Sequence, residues 1–176
     1  VCSSHFLLTK KIELMNYLGL NKDLTLETVK HLNDLLANYH VYYQNLRNFH
    51  WNVTGENFFE LHAQFEELYN DARIKIDEIA ERILTLRARP VSIFSKYLAV
   101  SDVPEANYVE KDIKMVGIIL ENHQILIDKM RDALKVAASN DDEGTVDLLS
   151  GFLEGLEKKS WMLDAWAMRK NKMKIA

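Results

Sequence analysis

Cysteine occurs once, at Cys2, in a chain of 176 residues. A lone thiol can form neither an internal disulfide nor a cysteine zinc site, which fits an intracellular, reducing compartment. Proline occurs twice, at Pro90 and Pro104, and glycine 6 times. A β-sandwich or barrel needs many tight turns, and these residues are too few to make them. A doubly wound α/β fold needs repeated short connections and is disfavoured for the same reason. No apolar run approaches the ~20 residues of a membrane span. Residues 1–8 lack the positively charged start and long apolar stretch of a signal peptide. No excess of positive charge is present either. The formal net charge of −4 argues against whole-surface affinity for nucleic acid or anionic membrane. The phosphate-binding, dinucleotide, zinc-protease and nucleophile-elbow motifs are all missing.

What the chain does have is helical periodicity. Over residues 25–53, Val29, Leu32, Leu36, Tyr39, Tyr43, Leu46 and Val53 recur at alternating steps of three and four, with His50 in register. Thr25 is the expected N-cap and Gly55 the stop. A second stripe, Leu61, Phe65, Leu68, Ala72, Ile76, Ile79, Ile83 and Leu86, predicts a helix over 58–87. The short link makes the two antiparallel neighbours. Residues 88–107 hold both prolines and read as a crossover, with one short helix over 92–100. Helices are then expected over 108–138 and 144–169, separated by the turn Ser139-Asn140-Asp141-Asp142. Two helices, a long crossover and two more helices describe an all-α, ferritin-like four-helix bundle of a single domain over 1–176. Residues 1–20 form an N-terminal segment and 168–176 a basic C-terminal tail.

The usual Glu-x-x-His pair of a di-metal bundle interior is absent, because none of the 6 histidines follows a glutamate by three residues. The chemistry-bearing residues lie elsewhere, at His50, His62, Glu66, Asp77 and Glu81. At ~100° per residue, with His62 at zero, Glu66 falls near about 40°, Asp77 about 60° and Glu81 about 100°, while the apolar stripe centres near about −80°. The candidate ligands therefore face away from their own core. Asp77 lies roughly 22 Å along the axis from His62, and a metal bond is only about 2 Å long, so one chain cannot bring both to one ion. His50 is near His62 across the hairpin turn. An antiparallel two-fold pair would set the histidines of one copy beside the carboxylates of the other, forming two equivalent sites. Imidazole plus carboxylate suits Fe(II), Mn(II) or Zn(II), with open positions for an oxidant. The plainer alternative is a solvated stripe, with His62 and Glu66 an ordinary pair one turn apart. His5, His31, His40 and His123 read as structural or surface residues. Trp51 reads as an interface or core aromatic, or as an oxidisable shield beside a redox site.

The segment Asn48-Phe-His-Trp-Asn-Val-Thr-Gly55, then Phe58-Phe-Glu-Leu-His62, then Asp77-Glu-Ile-Ala-Glu-Arg82 closely resembles the Dps family of mini-ferritins. That resemblance implies hollow dodecamers that bind Fe(II) between subunits and oxidise it, preferably with hydrogen peroxide. The ferric product is stored in the cavity, which protects the cell from oxidative damage. It implies a di-iron site in which His50 and His62 come from one subunit and Asp77 and Glu81 from its two-fold mate. Zinc or manganese could substitute. Glu66 would be a further acidic ligand and Trp51 the family tryptophan beside the site.

The resemblance also implies an iron-entry pore near the start of the last helix, for which Asp147 and Glu143 are candidates and Asp142 a weaker one. Helix capping and dipole matching would place acids there as well. Some family members bind DNA through a lysine-rich N-terminus, but residues 1–20 hold only Lys10 and Lys11 besides His5. The C-terminal Arg169, Lys170, Lys172 and Lys174 could meet phosphates when repeated on a shell. They equally suit a helix C-terminus. A DNA-coating nucleoid protein is thus the rival to the ferroxidase, and strong DNA binding at physiological salt is not expected. No membrane partner is expected, and the cytoplasm is the expected location.

Overall fold

The computed structural model describes residues 18–173, with side chains described as far as Met168. Five helices occur among the described residues. They are α1 (Lys22–Asn52), α2 (Phe58–Thr85), α3 (Phe94–Val100), α4 (Asp112–Ala138) and α5 (Glu143–Met173). Helix α1 packs on α2 and α4, and α4 on α5, while short α3 rests on α1. This is the expected all-α bundle with one long crossover.

The boundaries moved where local chemistry outweighed periodicity. Asn21, not Thr25, caps α1, its Oδ1 accepting from the amides of Asp23 and Leu24 at 3.0 and 3.1 Å. Thr25 lies inside the first turn and donates its hydroxyl back to the Asn21 carbonyl at 2.7 Å. Helix α2 stops at Thr85 because Arg87 turns into the left-handed region at φ 62°. Helix α4 begins at Asp112 rather than 108. Helix α5 runs on to Met173, so most of the expected basic tail is helical in its backbone. The side chains of Arg169 to Lys174, like Cys2, His5, Lys10 and Lys11, lie outside the described residues. No helix among the described residues is long and apolar enough to cross a membrane.

The core runs along the bundle axis. Leu32, Leu35, Tyr39, Leu46 and Phe49 of α1 meet Phe65, Ile79 and Ile83 of α2, Ile119, Leu126 and Met130 of α4, and Leu149 of α5. The predicted apolar stripes of α1 and α2 are the buried ones. The crossover is held by asparagines of α1. Asn33 Oδ1 accepts from Val91 N at 2.7 Å. Asn38 Oδ1 accepts from the amides of Asp102 and Val103 at 3.0 and 2.9 Å. Asn45 donates to Pro104 O at 2.9 Å and accepts from Ala106 N at 2.8 Å. These side chains satisfy backbone groups of a strand-less segment that would otherwise be left unpaired against the bundle.

Inside the bundle, Lys75 donates to Asp71 at 2.7 Å, and Lys159 reaches the same carboxylate at 3.0 Å. Burial pushes the Asp71 carboxyl up, but the two lysines outweigh it and hold it below its ordinary value. An ammonium already fills this part of the bundle, consistent with the absence of Glu-x-x-His ligands from the sequence.

Candidate metal centre at the hairpin end of the bundle

Helices α1 and α2 are joined by the turn Val53–Asn57. Gly55 there takes φ 95°, a left-handed value that glycine reaches without a Cβ penalty. The turn brings His50, in the last turn of α1, against His62, in the second turn of α2. Their rings stack at 3.8 Å between centroids, 22° from parallel. Each ring is tied to the other helix. His50 Nδ1 lies 2.8 Å from the His62 carbonyl oxygen, and His62 Nδ1 lies 2.9 Å from that of His50. A carbonyl oxygen only accepts, so both Nδ1 atoms carry the proton. In the neutral imidazole each Nε2 then keeps the lone pair. This is the tautomer a metal requires, with the backbone holding the ring from behind. His50 is 8% exposed, so one imidazole of the pair is anchored in the protein wall.

Two aromatic rings flank the pair. Phe58 stacks on His62 at 4.9 Å, and Tyr69 meets His50 edge-on at 5.2 Å. The Tyr69 hydroxyl donates to Glu66 Oε1 at 3.1 Å, so Glu66 is joined to the His50 ring through Tyr69. Partial desolvation and that hydrogen bond push the Tyr69 phenol above its ordinary value. Tyr69 was not among the predicted residues; its spacing of seven from His62 was the available signal. Trp51 is 59% exposed, so it is not a core aromatic in the single chain. The Arg47 guanidinium lies 4.6 Å from its ring and 5.3 Å from that of Tyr43.

Asp77 and Glu81 lie one turn apart on α2, both exposed. They sit toward the far end of the helix from His62. Among the described residues of one chain, no three His, Cys, Asp or Glu side chains are grouped closely enough to hold a metal. The structure thus pairs His50 with His62, holds Glu66 one tyrosine away, and leaves Asp77 and Glu81 as a separate acidic end.

The pore candidates divide. Glu143 and Asp147 are exposed at the start of α5. A shallow groove lined by Glu81, Gly144 and Asp147 joins Asp147 to the acidic end of α2. Asp142 is instead 1% exposed. Its Oδ1 caps α5 by accepting from Thr145 N at 3.1 Å, its Oδ2 accepts from the Thr145 hydroxyl at 2.6 Å, and it pairs with Arg82. Its carboxylate is taken up by the fold.

A family model described as a ferritin-like domain matches residues 29–173. The chain is 43% identical over 157 residues to a DNA protection during starvation protein of Porphyromonas gingivalis, covering 89% of this chain and 99% of that one. It is 41% identical to DNA protection during starvation protein 2 of Bacillus anthracis, covering 80% and 96%. Its fold matches the crystal structure of a Dps protein from Vibrio cholerae O1 with a TM-score of 0.85 at 44% identity, over 87% of this chain and 96% of that one. That protein is described as a member of a broad superfamily of ferritin-like diiron-carboxylate proteins. The chain belongs to the Dps family of ferritin-like proteins.

Proposed function

We propose that this chain is a ferroxidase and iron store whose oxidation site is completed between two copies. The observation that carries the reading is the His50–His62 pair, with an Nε2 lone pair on each neutral ring and both Nδ1 protons committed to backbone. On the same helix, Asp77 and Glu81 supply the carboxylates such a site lacks within one chain. A two-fold pair of antiparallel α2 helices would bring the histidines of each copy to the Asp77 and Glu81 of the other. Glu66 would serve as a further acidic ligand.

Fe(II) is the substrate. Hydrogen peroxide takes one electron from each of a pair of Fe(II) ions and two protons from solvent, and the O–O bond breaks to give two waters without releasing a hydroxyl radical. The ferric product collects in the cavity of a homo-oligomeric shell, expected to be a dodecamer. Glu143 and Asp147, on the surface at the start of α5, would draw Fe(II) in. Mixed nitrogen and oxygen donors also accept zinc or manganese.

The test is anaerobic loading with Fe(II), then addition of peroxide, reading ferric absorbance against peroxide consumed. Paired oxidation, soluble ferric product and little hydroxyl radical are expected. Oxidation no faster than free iron, with precipitation, would overturn the reading.

A further inference from the structure

Tyr42 of α1 and His123 of α4 meet in the bundle interior. Each is 1% exposed. The Tyr42 phenol oxygen lies 2.7 Å from His123 Nε2. The protons can be placed. The Ser160 hydroxyl has one proton, donated to the Leu156 carbonyl at 2.7 Å. Ser160 Oγ therefore accepts from His123 Nδ1, at 2.8 Å. Nδ1 carries the imidazole proton, Nε2 carries the lone pair, and the phenol O–H points at it. Burial, followed by the charges of Lys75 and Lys159 against that of Asp71, pushes the His123 imidazole down to about 3. Burial likewise pushes the Tyr42 phenol up. At rest the pair is a neutral, buried O–H···N hydrogen bond.

Plain core satisfaction does not need a base here. The neighbouring buried phenol of Tyr39, its ring 6.1 Å from that of Tyr42, points at the thioether of Met130 at 3.9 Å. A thioether cannot hold a proton; an imidazole can. Aromatic rings also lead from the metal-site histidines as far as Tyr43, the chain neighbour of Tyr42. His50 touches Tyr69 at 5.2 Å, Tyr69 touches Tyr43 at 6.1 Å, and Tyr43 adjoins Tyr42 in the chain.

We infer that Tyr42, with His123 as its proton acceptor, is a one-electron store behind the iron site. The inference rests on the proposed ferroxidase only for its source of oxidant. When one Fe(II) reaches peroxide alone, it gives up one electron, and the O–O bond breaks into hydroxide and a hydroxyl radical. That radical takes an electron from the protein and becomes hydroxide. Tyr42 supplies the electron, its O–H bond breaks, and the proton passes to His123 Nε2. A neutral tyrosyl radical and an imidazolium remain. A later Fe(II) returns the electron, His123 returns the proton, and the phenol is restored. Because the proton stays within the pair, the cycle closes without chemical loss of the side chain. Ser160 is a positioning residue that keeps the Nε2 lone pair on the phenol.

The test uses the full, assembled protein without iron, oxidised by photogenerated tris(bipyridine)ruthenium(III) and read by freeze-quench electron paramagnetic resonance. Wild type is expected to give a tyrosyl signal that forms more slowly in deuterium oxide. Tyr42→Phe should lose it, Tyr39→Phe should keep it, and Ser160→Ala should slow its formation, with Ser160→Thr restoring the rate. Tyr42→Phe deletes one oxygen, and its thermal melt confirms folding. An unchanged tyrosyl signal in Tyr42→Phe, or only an indole radical in wild type, would overturn the inference. Failure of the ferroxidase reading looks different: slow iron oxidation with the photochemical tyrosyl signal intact.

Discussion

His50 and His62 each donate an Nδ1 proton to the other's backbone carbonyl, at 2.8 and 2.9 Å, so each ring sets the other's tautomer across two helices. His50→Ala removes a metal donor and one strap of the hairpin. Its expected cost is about 1–2 kcal/mol of stability, the scale of one lost hydrogen bond with a partner left unpaired. Helical circular dichroism should survive while fast iron oxidation is lost. Normal oxidation rates in both His50→Ala and Asp77→Ala would show the site assignment to be wrong.

Mixing experiments separate a shared site from a private one. One variant lacks both histidines (His50→Ala, His62→Ala) and the other both carboxylates (Asp77→Ala, Glu81→Ala). Each alone should be inactive. Unfolded together and reassembled at equal amounts, they form mixed pairs in which one of the two sites is whole. Random pairing should recover roughly a quarter of the wild-type sites, as the two-fold arrangement demands. Rates that stay at the baseline of either variant would count against carboxylates supplied by a second copy.

Asp142 links three parts of the fold, accepting from Thr145 N at 3.1 Å and the Thr145 hydroxyl at 2.6 Å while pairing with Arg82 of α2. Asp142→Ala removes a helix cap and strands a partly buried guanidinium. About 3 kcal/mol of destabilisation is expected from those losses together. A Cβ added at Gly144 would meet the Arg82 guanidinium at 3.0 Å, so Gly144→Ala should cost less but act at the same place. Thermal melts of the two variants give the order.

His123 carries a pH signature. Burial holds its folded pKa down at about 3, whereas the unfolded chain takes up the proton near the ordinary 6.5. Protons therefore bind the unfolded state first as pH falls. Stability is full above 6.5 and drops below it, by up to about 1.4 kcal/mol per pH unit, until the folded pKa is reached. Burial lowers His40 as well and adds to the slope. His123→Gln should flatten the acid limb of a denaturation series; an unchanged slope would place the acid sensitivity elsewhere.

Asn122 is 1% exposed, and neither its Oδ1 nor its Nδ2 has a hydrogen-bond partner among the described residues. Desolvating an unpaired amide costs about 1–3 kcal/mol. Asn122→Leu, close to it in volume, is expected to raise the melting temperature. A lowered one would reveal a partner for the amide in the assembled protein.

The periodic features of the sequence carried much of this structure. Leu32, Leu36, Leu46, Phe65, Leu68 and Ile79 fall on the expected buried stripes, and the turn at Gly55 places His50 beside His62. What periodicity hides is side-chain capping and distance along the chain. Asn21 and Thr25 are both good caps on propensity, and only the backbone decides between them. Arg87 in a left-handed conformation carries no compositional sign. Asn33, Asn38 and Asn45 look like ordinary polar positions until the crossover lies across them. Tyr42 and His123 stand 81 residues apart, beyond any local rule. Asp142 shows the opposite hazard: an acid in the expected place, turned inward by its cap.

The histidine pair is built from residues only 12 apart, on a hairpin with a five-residue turn. Contacts this local close on the microsecond scale of helix pairing, long before distant segments meet. A newly made chain thus has its nitrogen half-site finished early, while the oxygen half waits for a second molecule. If the carboxylates come from that molecule, tight iron capture begins only once chains have met. Iron chemistry would then be timed by the concentration of the protein itself, and an isolated chain would be spared peroxide chemistry on its own surface.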